Sequence, residues 1–179
     1  MNNSKLLLTT DRFRVEEVRQ TLAGGGIRKR AIVRHPGAVA IIPLVDADHV
    51  CLIRNYRISV EQTLLEIPAG TLEPGEPPSE TAQRELREET GYTADKLTPV
   101  AAFYLSPGIV DEKMHVFAAE GLTAGEAARE PGEEIENLIV PWQEALQMIV
   151  MGRIQDAKTI AALLLYDRLR RGKSIHDRV

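Results

Sequence analysis

Cysteine occurs once in the 179 residues, at position 51. A single thiol cannot close an internal disulfide, so a reducing, cytoplasmic setting is expected. Within the apolar run HVCLIRNY, Cys51 reads as a buried strand thiol packing as a small hydrophobe. Long hydrophobic runs are missing as well. The opening stretch MNNSKLLLTTDRFRV holds three consecutive leucines, too few for a signal-peptide core or a membrane span, so no membrane association is expected. Basic charge is in deficit: 22 Lys and Arg stand against 26 Asp and Glu, a net charge of −4. That balance excludes a general nucleic-acid binder, which needs a basic face, while leaving room for a local anion site. The histidines at 35, 49, 115 and 176 show no HxH or HExxH spacing, which argues against zinc. TLAGGG is not followed by GK[ST], so it reads as a turn, and Ser106 has no GxSxG setting.

What is present suits one globular domain with a small extension, long enough to bury a core. Strands are expected at 13–20 and 27–34 around the glycine turn, and at 37–45 and 49–57, where DADH suggests a hairpin. TLLEIP at 63–68 is another strand. A helix is expected from Pro78 to Thr90, with Gly91 placed to end it in the left-handed conformation. Strands follow near 97–104 and 113–119, then a polar stretch at 121–134 that reads as a mobile loop. A strand near 135–140 and amphipathic helices over 141–151 and 155–171 complete the pattern. Strands mixed with late helices predict an α/β fold, a mixed sheet covered by helices.

The helix carries the chemistry. At about 100° per residue, Glu85 and Glu89 share one face with Glu88 beside them. Arg84 is spaced to pair with Glu80 and Glu88, which leaves Glu85 and Glu89 with no comparable helical partner. Like charges four apart cost an isolated helix roughly 0.2–0.5 kcal/mol per pair. A hard divalent cation such as Mg²⁺, which takes oxygen ligands and keeps waters and substrate phosphates around it, would supply the missing charge. The alternative is a solvated, salt-bridged helix face.

Gly70, five residues, Glu76, seven residues, Arg84-Glu85-Leu86, one residue, Glu88-Glu89, one residue and Gly91-Tyr92 together resemble the Nudix box, with Tyr92 where an aliphatic residue is usual. The resemblance implies an α/β/α sandwich with a mixed sheet and a small N-terminal antiparallel β extension, divided here as 1–36, expected to dimerise, and 37–179. It also implies Mg²⁺-dependent hydrolysis of a nucleoside diphosphate linked to another moiety, with Mn²⁺ as a substitute. Glu85 and Glu89 correspond to the principal metal ligands, Glu88 assists, and Ala69 supplies a backbone ligand. Arg84 and Glu76 match a bracing ion pair, and Gly70 and Gly91 match backbone requirements.

LLEIPAGTLEPGE before the helix and FYLSPGIVDE after it resemble the ADP-ribose pyrophosphatase branch of that family, in which Pro107 stands fifteen residues past Tyr92. With RNYR, the likeness covers roughly residues 27–170. It implies that Arg57 contacts the diphosphate, where a guanidinium fork suits phosphate, with Arg54 and Glu112 as further substrate contacts. In REPGEEIENLIVP, Glu133 is the best match to a catalytic base carried on a loop, with Glu134 second. Arg28, Lys29, Arg30 and Arg34 read as a solvated basic face, and Phe13 as a core residue or an adenine platform. The implied enzyme is a homodimer acting on ADP-ribose. The rivals are a pyrophosphatase for another ADP- or GDP-sugar and a non-catalytic ADP-ribose sensor; three intact box glutamates and no appended DNA-binding module weigh against the sensor.

Overall fold

The computed structural model describes residues 4–129 and 134–176, without the side chains of 173–176. Among the described residues, ten strands and three helices run in the order β1 (Ser4–Thr9), β2 (Arg14–Thr21), β3 (Ile27–Arg34), β4 (Ala38–Pro43), β5 (His49–Arg57), β6 (Gln62–Glu66), β7 (Ala69–Thr71), α1 (Pro78–Thr90), β8 (Tyr92–Tyr104), β9 (Lys113–Ala124), β10 (Ile135–Pro141), α2 (Trp142–Val150) and α3 (Ala157–His176). They form three sheets: β1-β2-β3, β10-β5-β6, and a mixed sheet β7-β4-β9-β8 in which β4 and β9 are parallel.

β4 explains the layering. Every one of its residues is buried, and successive side chains point to opposite faces of a strand. Val39 and Ile41 pack against Ala82 and Leu86 of α1 and against Phe117. Ala38, Ala40 and Ile42 face the larger core with Val50 and Leu52 of β5, Val140, Trp142, Met148 and Leu163. The central sheet thus has α1 on one face and the second sheet with α2 and α3 on the other, the sandwich that the sequence predicts. Cys51 is fully buried, and burial pushes its thiol up to about 11.

Four expectations change. The DADH segment does not make a two-stranded hairpin: β4 and β5 belong to different sheets and share one isolated bridge, Leu44 to Val50. β4 is buried on both faces, and so is the Val50–Ile53 stretch of β5, so the chain gains more by crossing the core than by folding back on itself. β8 and β9 are longer than expected, because Thr123, Leu122 and Glu120 pair with Thr93, Ala94 and Lys96. Pro99, which cannot donate to a ladder, is accommodated at a register shift between Pro99 and Ala101. The expected mobile loop therefore starts inside β9, and its residues 125–129 dock on α1. Phe13 is neither core nor fully free: it is 36% exposed next to the β1–β2 turn. β1 and the short β7 had no sequence-level counterpart.

α1 matches its predicted bounds. Pro78 sits in its first turn, where a missing N–H costs nothing. Gly91 adopts φ 80° and returns its N–H to the Arg87 carbonyl. No described helix is long and apolar enough to cross a membrane.

Candidate active site

β6 ends at Glu66, and Ile67 and Pro68 lead into β7, which lies antiparallel to β4 through Ala38–Thr71, Val39–Gly70 and Ala40–Ala69 pairs. This brings Ala69 and Gly70 against the acidic face of α1. The approach requires glycine: a Cβ built on Gly70 would stand 1.8 Å from Cδ of Glu85. The Ala69 N–H donates to Glu89 Oε2 at 2.9 Å, and Glu89 is almost wholly buried. Glycine at position 70 and glutamates at 85 and 89 are thus parts of one packed unit.

Arg84 braces it from the outside. Its Nε and Nη2 donate to the Glu76 carboxylate at 3.2 Å each, and its Nη1 donates to Glu85 at 2.7 Å and Glu88 at 2.9 Å. The Glu76–Arg84 pair is as expected. The predicted Glu80 partner is not used: Glu80 lies in the first turn of α1, and Arg84 turns instead to the adjacent Glu85. Glu85 therefore does have a helical cation beside it, a correction to the sequence reading. The Arg84 hydrogen bond holds the Glu76 carboxyl below the usual carboxylate range, and the Glu76 hydrogen bond is the largest cause of Arg84's raised pKa.

A cavity of about 460 Å³ opens over these groups, lined by Ala69, Gly70, Glu85, Glu88 and Glu89 from β7 and α1, by Arg57 and by Asp11 and Arg12 of the β1–β2 turn. Five carboxylates line it against three guanidinium groups. Among the described residues no three carboxylates converge at metal-ligand distance, because Arg84 stands between Glu85 and Glu88. The donors nevertheless suit a hard divalent ion: they are carboxylate oxygens, and they carry surplus negative charge over the guanidinium groups around them.

Arg57 is the last residue of β5 and lines the cavity. Its Nε and Nη2 edge is clamped on Glu66 at 2.7 and 2.6 Å. Glu66 is fully buried: burial alone would raise its pKa, yet the Arg57 fork and Lys158 bring it below the usual carboxylate range. Arg54 lies elsewhere, exposed, 3.7 Å from Glu136 in a separate depression with Arg129 and Glu134. Pro107 and Glu112 belong to the 105–112 turn and do not line the carboxylate cavity. Glu133 lies outside the described residues; Glu134 is exposed. Arg28, Lys29 and Arg30 are solvated, whereas Arg34 bonds Glu16 at 3.1 Å and Asp111 at 2.9 Å.

The terminal carbonyls of α1 are satisfied by the chain that leads towards the glutamate segment. Ala128 N–H reaches Glu88 O at 3.1 Å, Arg129 Nε reaches Glu89 O at 3.1 Å, and Asn137 Nδ2 reaches Thr90 O at 2.8 Å. Sequence reasoning missed Arg129, Glu66, Asp156 and Lys158. For Asp156 a signal existed: an aspartate immediately before the helical periodicity is a helix N-cap pattern.

Comparisons with known proteins agree with this geometry. The chain is 47% identical over 151 residues to an ADP-ribose pyrophosphatase of Bacillus subtilis (strain 168), covering 83% of this chain and 80% of that one. It is 42% identical over 144 residues to a methanol dehydrogenase activator of Bacillus methanolicus, covering 79% and 78%. A crystal structure of an ADP compounds hydrolase superposes with a TM-score of 0.84 at 27% identity, over 96% of this chain and 94% of that one. The NUDIX domain family matches residues 34–163, a span that holds every element from β4 to the first turns of α3. The chain belongs to the Nudix family.

Proposed function

We propose that the protein hydrolyses the diphosphate of ADP-ribose, giving AMP and ribose 5-phosphate. One observation carries the proposal: the cavity where the Gly70 backbone, Glu85, Glu88 and Glu89 meet beside Arg57, in a chain 47% identical to an ADP-ribose pyrophosphatase. Glu85 and Glu89, with Glu88 and the Ala69 backbone, would hold Mg²⁺, or Mn²⁺ in its place. When bound, such an ion polarises phosphoryl oxygen and lowers the pKa of its water.

The remaining roles fall to this chain's own groups. Arg57 binds the diphosphate, and Arg84 with Glu76 keeps the acidic face in register. Glu133, or Glu134 next to it, takes the proton of the attacking water. Arg54, Pro107 and Glu112 serve the rest of the substrate. Residues 1–36 form an extension that pairs two copies into a homodimer, residues 37–179 form the catalytic domain, and the enzyme works in the cytoplasm.

The test is Glu89→Gln. It keeps the size of the side chain and an acceptor for the Ala69 N–H, and removes the charge. Turnover of ADP-ribose with Mg²⁺ is expected to fall by about a hundredfold or more, with the unfolding midpoint within a few degrees of the wild type. Near-normal turnover would sink the assignment.

A further inference from the structure

Behind Arg57, and outside the carboxylate cavity, lies a cluster of charged groups. Glu66 at the end of β6 is fully buried, and Lys158 in the first turn of α3 is nearly so. Lys158 Nζ donates to Glu66 Oε2 and lies 3.0 Å from Asp156 Oδ1. Asp156 Oδ2 accepts from the Thr159 N–H at 2.9 Å and the Thr159 hydroxyl at 2.6 Å, and thereby caps α3. The Thr159 hydroxyl oxygen accepts the Ile67 N–H at 3.0 Å. Two segments 92 residues apart in sequence, α3 and the β6–β7 connection, are thus tied by one polar network.

Charges this buried are costly to desolvate unless each is paired and hydrogen-bonded, and hydrophobic replacements of similar size often serve stability as well. A lone Glu66–Arg57 pair would satisfy both partners. Lys158 adds a second cation to the same carboxylate, and that has a consequence at the cavity wall. Glu66 shared between Lys158 and Arg57 neutralises Arg57 less completely, so more of the guanidinium's charge acts on an anion in the cavity. The Nε–Nη2 edge clamped on Glu66 also fixes the plane of the fork, which is what planar recognition of phosphate needs.

We propose that Lys158 is a positioning residue for Arg57: through Glu66 it sets the orientation and net charge with which Arg57 meets a diphosphate. The inference rests on the assignment of Arg57 to the diphosphate made above. It adds that α3, an element outside the carboxylate cavity, determines substrate affinity.

The test is equilibrium binding of ADP-ribose to the full chain in EDTA, where no turnover occurs, by calorimetry. The proteins are wild type, Lys158→Met, Arg57→Ala and the double variant, with Lys158→Gln as a second probe that retains a donor for Glu66 if the methionine variant does not fold. Charged residues that share one salt-bridge network couple in such cycles, so Lys158→Met or Lys158→Gln is expected to weaken binding about tenfold beside an intact Arg57, and less than about twofold when Arg57 is alanine. With Mg²⁺ present, the Lys158 variants beside an intact Arg57 raise KM and leave kcat within about threefold. A folded Lys158 variant that binds as tightly as the wild type overturns the proposal. So does an equal loss in both Arg57 backgrounds, which marks Lys158 as merely structural. If Arg57→Ala itself binds normally, the assignment of Arg57 is wrong and the inference falls with it; hydrolysis of ADP-ribose by that variant would show that the wider functional reading survives.

Discussion

At the scale of the residue, the site depends on one position where no side chain is tolerated. Gly70 lets β7 lie directly on Glu85, and even a methyl group there would overlap the carboxylate. Gly70→Ala should therefore displace Glu85 or lift β7, and either moves a carboxylate out of place. Misplacements of about 1 Å can cost catalysis a hundredfold, so kcat/KM for ADP-ribose is expected to fall by about that factor. The variant should unfold cooperatively, since the cores on both sides of β4 are untouched. Steady-state kinetics beside thermal unfolding would check this. Unchanged kinetics would mean that the close approach of Gly70 to Glu85 is not needed for activity. The spacing of Gly70, Glu85 and Glu89 is visible in the sequence, while the reason for the glycine is visible only in the contact.

At the scale of the element, α1 is the unit most completely legible in the sequence. Its proline start, glycine stop and acidic face are all local signals, and its bounds emerge as expected. What the sequence concealed is non-local. The 63–68 and 155–171 segments each show their periodicity, yet nothing in either says that Glu66 will meet Lys158. The DADH segment misled because a short polar link between two apolar runs suits both a hairpin and a crossing between sheets. Only burial on both faces of β4 decides between them. Arg84 choosing Glu85 over Glu80 is likewise a matter of side-chain reach once Glu76 has fixed the guanidinium. Gly91 tests the junction of α1 with the segment that caps it. A Cβ there would stand 2.6 Å from the Gly125 carbonyl oxygen, at a φ of +80°. Gly91→Ala is expected to cost at least about 1–2 kcal/mol from the left-handed conformation alone, read as a lowered denaturant midpoint with unchanged slope. A wild-type midpoint would show that the helix end can relax without loss.

At the scale of the whole molecule, the N-terminal sheet is the part least explained by a single chain. β1 is an edge strand, and Leu6, Leu7 and Leu8 are each more than half exposed, with Ile27 still more so. An open edge carrying apolar residues is a surface that proteins normally cover. The sheet is not detached from the rest of the chain. Arg34 and the His35 N–H both bond Asp111, and Val33 exchanges backbone bonds with Ile109 and Asp111. Pairing of two copies through this sheet would therefore bear on the 105–112 turn. Light scattering during size exclusion is expected to give twice the chain mass for the wild type. Leu6→Asp with Leu8→Asp should shift it towards the single-chain mass. A wild type that stays monomeric at tens of micromolar would contradict the homodimer.

The central claim concerns a reaction, and product analysis tests it most directly. The purified protein with Mg²⁺ is offered ADP-ribose, ADP-glucose, GDP-mannose, NADH and a dinucleoside tetraphosphate in parallel, with Glu89→Gln as control. The account predicts that AMP and ribose 5-phosphate appear, fastest from ADP-ribose and only with the wild-type chain. Faster cleavage of another nucleotide sugar would contradict the substrate while sparing the carboxylate site. Binding of ADP-ribose without cleavage of any compound would contradict the account as a whole.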